Sequence, residues 1–255
     1  MCLILVAWQS HPEFPLVVAA NRDEFHARPT AVAARWHEAP QVLGGRDLEA
    51  GGTWLGVADG GRFAAVTNVR EPGQPPGEVS RGHLTHDFLT GTLAPAAYLG
   101  TLDGSRYAGF NLLVADDTTL AYRSNRDGVA RTLSPGIYGV SNHLLDTPWP
   151  KLASAKARFA AALAASHADA PGVASLFAIL ADAEIVPDEH LPATGVSLEW
   201  ERMLSAVFVL SPKYGTRAST VLFRRADGSG LIYERSFAAD GRPAGEVELA
   251  FSSRR

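Results

Sequence analysis

Met1-Cys2-Leu3-Ile4-Leu5-Val6-Ala7-Trp8 and, after a short gap, Leu16-Val17-Val18-Ala19-Ala20-Asn21-Arg22-Asp23-Glu24-Phe25 form the stretch that decides the fold. Both runs open with residues apolar enough for buried strands. Between them His11-Pro12-Glu13-Phe14-Pro15 has the composition of a turn. The spacing predicts that the chain begins with an antiparallel hairpin. Cys2 starts one strand and Asn21-Arg22-Asp23 ends the other. The pairing therefore sets an acid and a cation beside the start of the chain.

Cys2 is the only cysteine in 255 residues. A lone cysteine is often a small buried hydrophobe. This one stands where removal of Met1 would give it a free α-amino group as well as a thiol, and that removal is expected because cysteine is small. The thiolate is the nucleophilic form, with an ordinary pKa of about 8.5. An α-amino group titrates near 7.7–8.0 and can take the thiol proton at neutral pH. A nucleophile with its own base is the logic of N-terminal nucleophile catalysis.

Working outward, composition narrows the classes. A formal net charge of −4 argues against a broad nucleic-acid-binding face. One cysteine excludes an internal disulfide, a CxxC metal site and CxxCH haem attachment. No apolar run reaches the ~18 residues of a membrane span. The first strand lacks the basic flank and cleavage site of a signal peptide, so the expected location is cytoplasmic. Oligomeric state is not legible.

The rest reads as sheet, helices, sheet. Ala31–Trp36 is expected to be a short strand and Gly44–Gly56 a glycine-rich loop where backbone closely approaches a ligand or a neighbouring strand. It fits neither GxGxxG nor a P-loop. Thr53–Ala58 and Arg62–Asn68 flank Asp59-Gly60-Gly61, a hairpin signal. Ser80 is a candidate N-cap for a helix over Arg81–Leu89, and Ala94–Leu102 for a second. A meander is expected over Phe110–Ala115, Thr119–Ser124, Gly128–Leu133 and Gly136–Ser141. Leu152, Ala155, Phe159, Ala162, Leu163 and Ser166 follow helical spacing, with Lys151, Lys156 and Arg158 on the polar side; Val173–Ala183 is a second helix. Asp188–Glu201 reads as loop. Strands follow at Leu204–Leu210, Ser219–Arg224, Leu231–Phe237 and Glu246–Phe251, then a frayed tail from Ser252. The class is α+β, two mostly antiparallel sheets with helices outside, as one domain over residues 1–255. His83 and His86 share a helix face, but without a third ligand no metal is assigned, and no cofactor.

Together, Cys2, Asn21-Arg22-Asp23-Glu24, Gly51-Gly52-Thr53-Trp54-Leu55-Gly56, Val66-Thr67-Asn68, Gly139-Val140-Ser141-Asn142 and Tyr214–Thr220 resemble the NRDE family, which takes in the transport-and-Golgi-organisation proteins. That resemblance implies lipid, acyl or haem handling. More distantly, the chain is similar to N-terminal nucleophile hydrolases of the cholylglycine hydrolase and penicillin V acylase type. This second likeness implies a four-layer αββα sandwich and a site of Cys2, Arg22, Asp23, Asn68, Asn142 and Arg217. In it Cys2 is the nucleophile and Asp23 holds its amine. Asn68 and Asn142 receive the oxyanion, and Arg217 lowers the thiol pKa. Ala20 stands where those enzymes carry arginine, and Arg22 is its nearest substitute. Asn21, Trp54 and Thr67 are expected to meet substrate. The expected function is hydrolysis of a C–N amide bond in a small or acyl substrate. The alternative is a non-catalytic carrier for a hydrophobic small molecule.

Overall fold

The computed structural model describes residues 2–165 and 172–252. Met1, Ser166 and the tail at 253–255, on which the sequence reading also touched, lie outside the described residues.

The chain opens with β1 (Cys2–Trp8), β2 (Leu16–Phe25), β3 (Thr30–Arg35), β4 (Val42–Asp47), β5 (Leu55–Ala58) and β6 (Arg62–Asn68). Helices α1 (Gly82–Thr90) and α2 (Pro95–Thr101) follow, then β7 (Phe110–Ala115), β8 (Leu120–Ser124), β9 (Ala130–Leu133) and β10 (Gly136–Val140). Next come α3 (Pro150–Ala165), α4 (Val173–Leu180) and α5 (Leu198–Leu204), and the chain closes with β11 (Tyr214–Arg224), β12 (Gly230–Phe237) and β13 (Pro243–Phe251). One antiparallel sheet has the order β10-β1-β2-β11-β12-β13, the other β3-β4-β5-β6-β7-β8-β9.

The layers follow from which side chains each strand turns to which face. On β1, Ile4, Val6 and Trp8 pack into the space between the sheets with Val18, Leu43, Phe63 and Leu113. Leu3, Leu5 and Ala7 face the other way, under Leu152 and Phe159 of α3 and Leu176 and Phe177 of α4. A strand covered on both faces reads as an unbroken apolar run, which β1 is. On the second sheet, Ala64, Leu112 and Val114 meet Leu84 and Phe88 of α1 and Leu99 of α2. The result is helices, sheet, sheet, helices: a four-layer αββα sandwich.

Several elements differ from the sequence expectation. Gly44 and Gly45 sit inside β4 rather than in a loop. The close approach expected there is real: a Cβ on Gly44 would come 2.6 Å from the Leu55 carbonyl oxygen, and one on Gly45 would overlap the Trp54 ring. Arg81, not Ser80, takes the N-cap position of α1, although the Ser80 hydroxyl still accepts from the Gly82 N–H at 3.3 Å. β10 leaves the expected meander and pairs with β1 in the other sheet, Ile4 opposite Val140. The segment expected as loop ends in the first turn of α5, capped by the Ser197 hydroxyl. Leu204–Leu210 is not a strand. Leu204 ends α5, and the buried apolar residues Ala206–Val209 follow in irregular backbone, tied down by the Phe208 N–H to the Asp182 carbonyl at 2.7 Å. β11 starts at Tyr214, five residues before the expected strand, because it pairs along the whole end of β2. No helix of the described residues is long and apolar enough to cross a membrane.

Candidate active site

The β1–β2 register sets Cys2 opposite Arg22. Directly paired residues in an antiparallel sheet point to the same face, and the next residue points to the other. Arg22 is therefore beside the Cys2 side chain. Asp23, one step further, is level with the backbone nitrogen end of Cys2. The two neighbours expected from the hairpin are thereby divided between the two faces of the sheet.

Both neighbours are buried. Arg22 stacks over the Trp54 ring at 4.4 Å, donates to Thr30 Oγ1 at 3.1 Å, and lies 3.7 Å from Asp47 and 3.8 Å from Glu24. The glycine at position 45 is what leaves room for that indole. Asp23 accepts from Thr216 Oγ1 at 2.7 Å, and the Tyr214 hydroxyl donates to its backbone carbonyl at 3.0 Å. Burial pushes the Asp23 carboxyl up, opposed by nearby positive charge, Lys151 and Arg22 included, and by the Thr216 hydrogen bond.

Asn68 ends β6 in one sheet and Asn142 follows β10 in the other. They meet: Asn142 Nδ2 donates to Asn68 Oδ1 at 3.0 Å. A buried polar chain fixes this junction. Tyr122 OH donates to Asn111 Oδ1 at 2.7 Å, Asn111 Nδ2 to Thr67 Oγ1 at 3.0 Å, and Thr67 Oγ1 to the Ser141 carbonyl at 2.7 Å. Ser141 Oγ then donates to the Cys2 carbonyl at 3.1 Å. Each buried donor has its acceptor, and such networks rigidify what they hold. Strand ends from both sheets are thereby locked around Cys2.

These groups border an open cleft of about 760 Å³. Cys2, Arg22, Asp23, Trp54, Thr67 and Asn68 line it, with Asn142 behind Asn68. Asn21 and Arg217 do not. Asn21 points to the helix side, where Nδ2 donates to the carbonyls of Leu180 at 2.8 Å and Val207 at 2.9 Å. Arg217 occupies a β-bulge between Thr216 and Ala218, and Nη1 donates to the carbonyls of Phe25, His26 and Arg28. The bulge turns it to the exit of β2 instead of the thiol. Arg22 is the cation the sheet pairs with Cys2.

The thiol is pushed up from its ordinary value. Burial is the largest cause and the Asp23 charge adds to it, while nearby positive charge, Arg22 included, and the Asp23 backbone N–H pull the other way. The expected lowering by an arginine is thus outweighed by desolvation.

Sequence reasoning missed the residues beneath the site. Lys151, placed on the polar side of its helix, is buried and donates Nζ to the Leu204 carbonyl at 2.8 Å. Burial brings it down to about 8, with Asp23 opposing. Arg70 and Glu201 form a buried ion pair at 2.6 Å, tying α5 to the cleft wall, with the Arg70 guanidinium over Trp149 at 4.7 Å. Nothing in a helix pattern marks a lysine whose ammonium is drawn to the carbonyl end of another helix. His83 and His86 lie on α1, their ring centres 6.2 Å apart, and no group of three potential metal ligands forms among the described residues.

Residues 1–239 match the family model described as Transport and Golgi organisation 2. The Transport and Golgi organization protein 2 homologs of Bos taurus and Homo sapiens are each 38% identical, over 92% of this chain and 93% of theirs. The Drosophila melanogaster protein is 30% identical over 87% of each. Among solved structures, a cysteine-to-alanine mutant of conjugated bile acid hydrolase from Clostridium perfringens superposes with a TM-score of 0.53 over 99% of this chain and 92% of that one, at 10% identity. An arginine-to-leucine variant of the same enzyme gives 0.54 over 98% and 92%. At that identity the likeness is one of fold.

Proposed function

The chain belongs to the Transport and Golgi organisation 2 family, and from that premise and the cleft geometry we propose that it is an N-terminal-cysteine hydrolase of amide bonds in small or acyl substrates. The observation that carries the reading is the convergence on Cys2 of Arg22, Asp23, Asn68 and Asn142 from strand ends of two different sheets. The shared fold with a bile acid hydrolase supports it.

In this reading Met1 is removed. The freed Cys2 amine takes the thiol proton, and the sulfur bonds to the substrate carbonyl carbon. The carbonyl oxygen becomes an oxyanion that accepts from the Asn68 amide, which Asn142 holds by its carbonyl oxygen. The Cys2 ammonium gives its proton to the leaving nitrogen, the C–N bond breaks and an amine departs, leaving a thioester on Cys2. Water then attacks that carbonyl, one of its protons passes to the amine, and the thiol returns as the acid leaves. Asp23 anchors the amine by a charge-assisted hydrogen bond throughout. Trp54 and Thr67 border the substrate, and Arg22 lies beside the thiol.

A second reading, a carrier for a hydrophobic ligand, is favoured by the raised thiol pKa: a protonated thiol is a poor nucleophile. A screen of acyl amides, lactones and acyl thioesters on protein beginning at Cys2 separates the two. A hydrolase turns one over and loses turnover in Cys2→Ala. A carrier binds without turnover and binds equally well in Cys2→Ala.

A further inference from the structure

Four guanidinium groups line the cleft: Arg22, Arg28, Arg70 and Arg81. Three have acids. Arg28 is held by Asp47 at 2.7 Å, Arg70 by Glu201 at 2.6 Å, and Arg22 lies within 3.8 Å of both Asp47 and Glu24. Arg81 has no carboxylate within 4.0 Å among the described residues. Its guanidinium donates there to a single group, the Gly109 carbonyl, at 3.3 Å. It is half-buried, and that burial draws its pKa down, with the charges of a Cys2 thiolate and of Glu24 opposing. An arginine has five N–H donors and keeps its charge at any accessible pH. Holding one such group partly out of water, without an acid, is costly unless something charged meets it.

We infer that Arg81 is a specificity-determining residue, which receives an anionic group, carboxylate or phosphate, on the molecule whose reacting carbon reaches Cys2. This rests on the reading of Cys2 as the reactive centre. Arg81 and Cys2 share one cleft, and a planar fork suits the paired oxygens of a carboxylate or phosphate. A neutral amide of the same shape would leave the fork unmatched. Buried polar groups left unmatched are what gives a site its discrimination.

The test uses two alkylating agents of similar size, anionic iodoacetate and neutral iodoacetamide, and reads the ratio of their rates at Cys2. A short peptide with the same N-terminal residues gives the reference ratio. The protein is expected to favour iodoacetate about tenfold more than the peptide does, as a charge-assisted contact implies. Arg81→Met should return the ratio to that of the peptide, and Arg81→Lys should keep most of it. Inorganic phosphate should slow iodoacetamide in the unaltered protein when matched chloride does not. An unchanged ratio in Arg81→Met would overturn the inference. So would equal slowing of both reagents, which marks an effect on the thiol or the fold, or absence of protection by phosphate. Alkylation needs no turnover, so failure of the hydrolase reading in a substrate screen leaves this ratio readable.

Discussion

Replacing Lys151 with methionine should flatten a specific part of the stability curve. The ammonium is buried, and burial brings it from an ordinary 10.5 to about 8. The folded state therefore binds fewer protons than the unfolded state between pH ~8 and ~10.5, and stability rises with pH across that window. The cost of the buried charge is fully present below pH ~8 and is relieved as the group deprotonates. A gap of about two and a half pH units, at about 1.4 kcal/mol each, makes the rise about 3 kcal/mol. Lys151→Met keeps the stem and removes the titration. Urea unfolding at several pH values between 7 and 10.5 gives the stability of both proteins, and their difference cancels the groups they share. The difference should move by about 3 kcal/mol in favour of the unaltered protein as pH rises through the window. A difference that stays flat within about 0.5 kcal/mol would refute the reasoning, since the lysine would then be charged and compensated throughout.

Asn68→Ala should slow acylation of Cys2 by about 10²–10³-fold with little change in substrate binding, as loss of an oxyanion donor does, measured as kcat against KM. Glu201→Ala leaves the Arg70 charge buried without its acid and should cost about 3–5 kcal/mol in urea unfolding. Gly45→Ala drives a methyl into the Trp54 ring, displaces it from beneath Arg22 and should cost about 1–3 kcal/mol, with a shift in tryptophan fluorescence.

The sandwich was legible where local pattern and tertiary role agree. β1 and the first half of β2 are apolar throughout because both faces are covered, and Gly60 and Gly61, both at positive φ, make the β5–β6 turn that their sequence announces. The pairing of Cys2 with Arg22, with Asp23 one step beyond, follows from a single hairpin, which fixes register locally. What stayed hidden depends on contacts distant in sequence. The move of β10 to the other sheet is decided by its match to β1, not by its own residues. The run from Ala206 to Val209 has the apolarity of a strand, but Asn21 and Asp182 claim its backbone groups, so it never enters a ladder. The motif of Arg217 matches that of a catalytic arginine, yet the bulge it occupies changes where it points. Lys151 and the Arg70–Glu201 pair lie under the site through the packing of α3 and α5, which carries no local signature.

The central claim is that Cys2, with a free amine, is the nucleophile. Intact mass spectrometry followed by peptide mapping of protein from cells, treated with an activated acyl amide probe, tests it most directly. The account predicts a mass beginning at Cys2, and one acyl group, carried by the Cys2 peptide and absent in Cys2→Ala. A mass that retains Met1 in protein that still turns substrate over, or acylation that persists in Cys2→Ala, would contradict it.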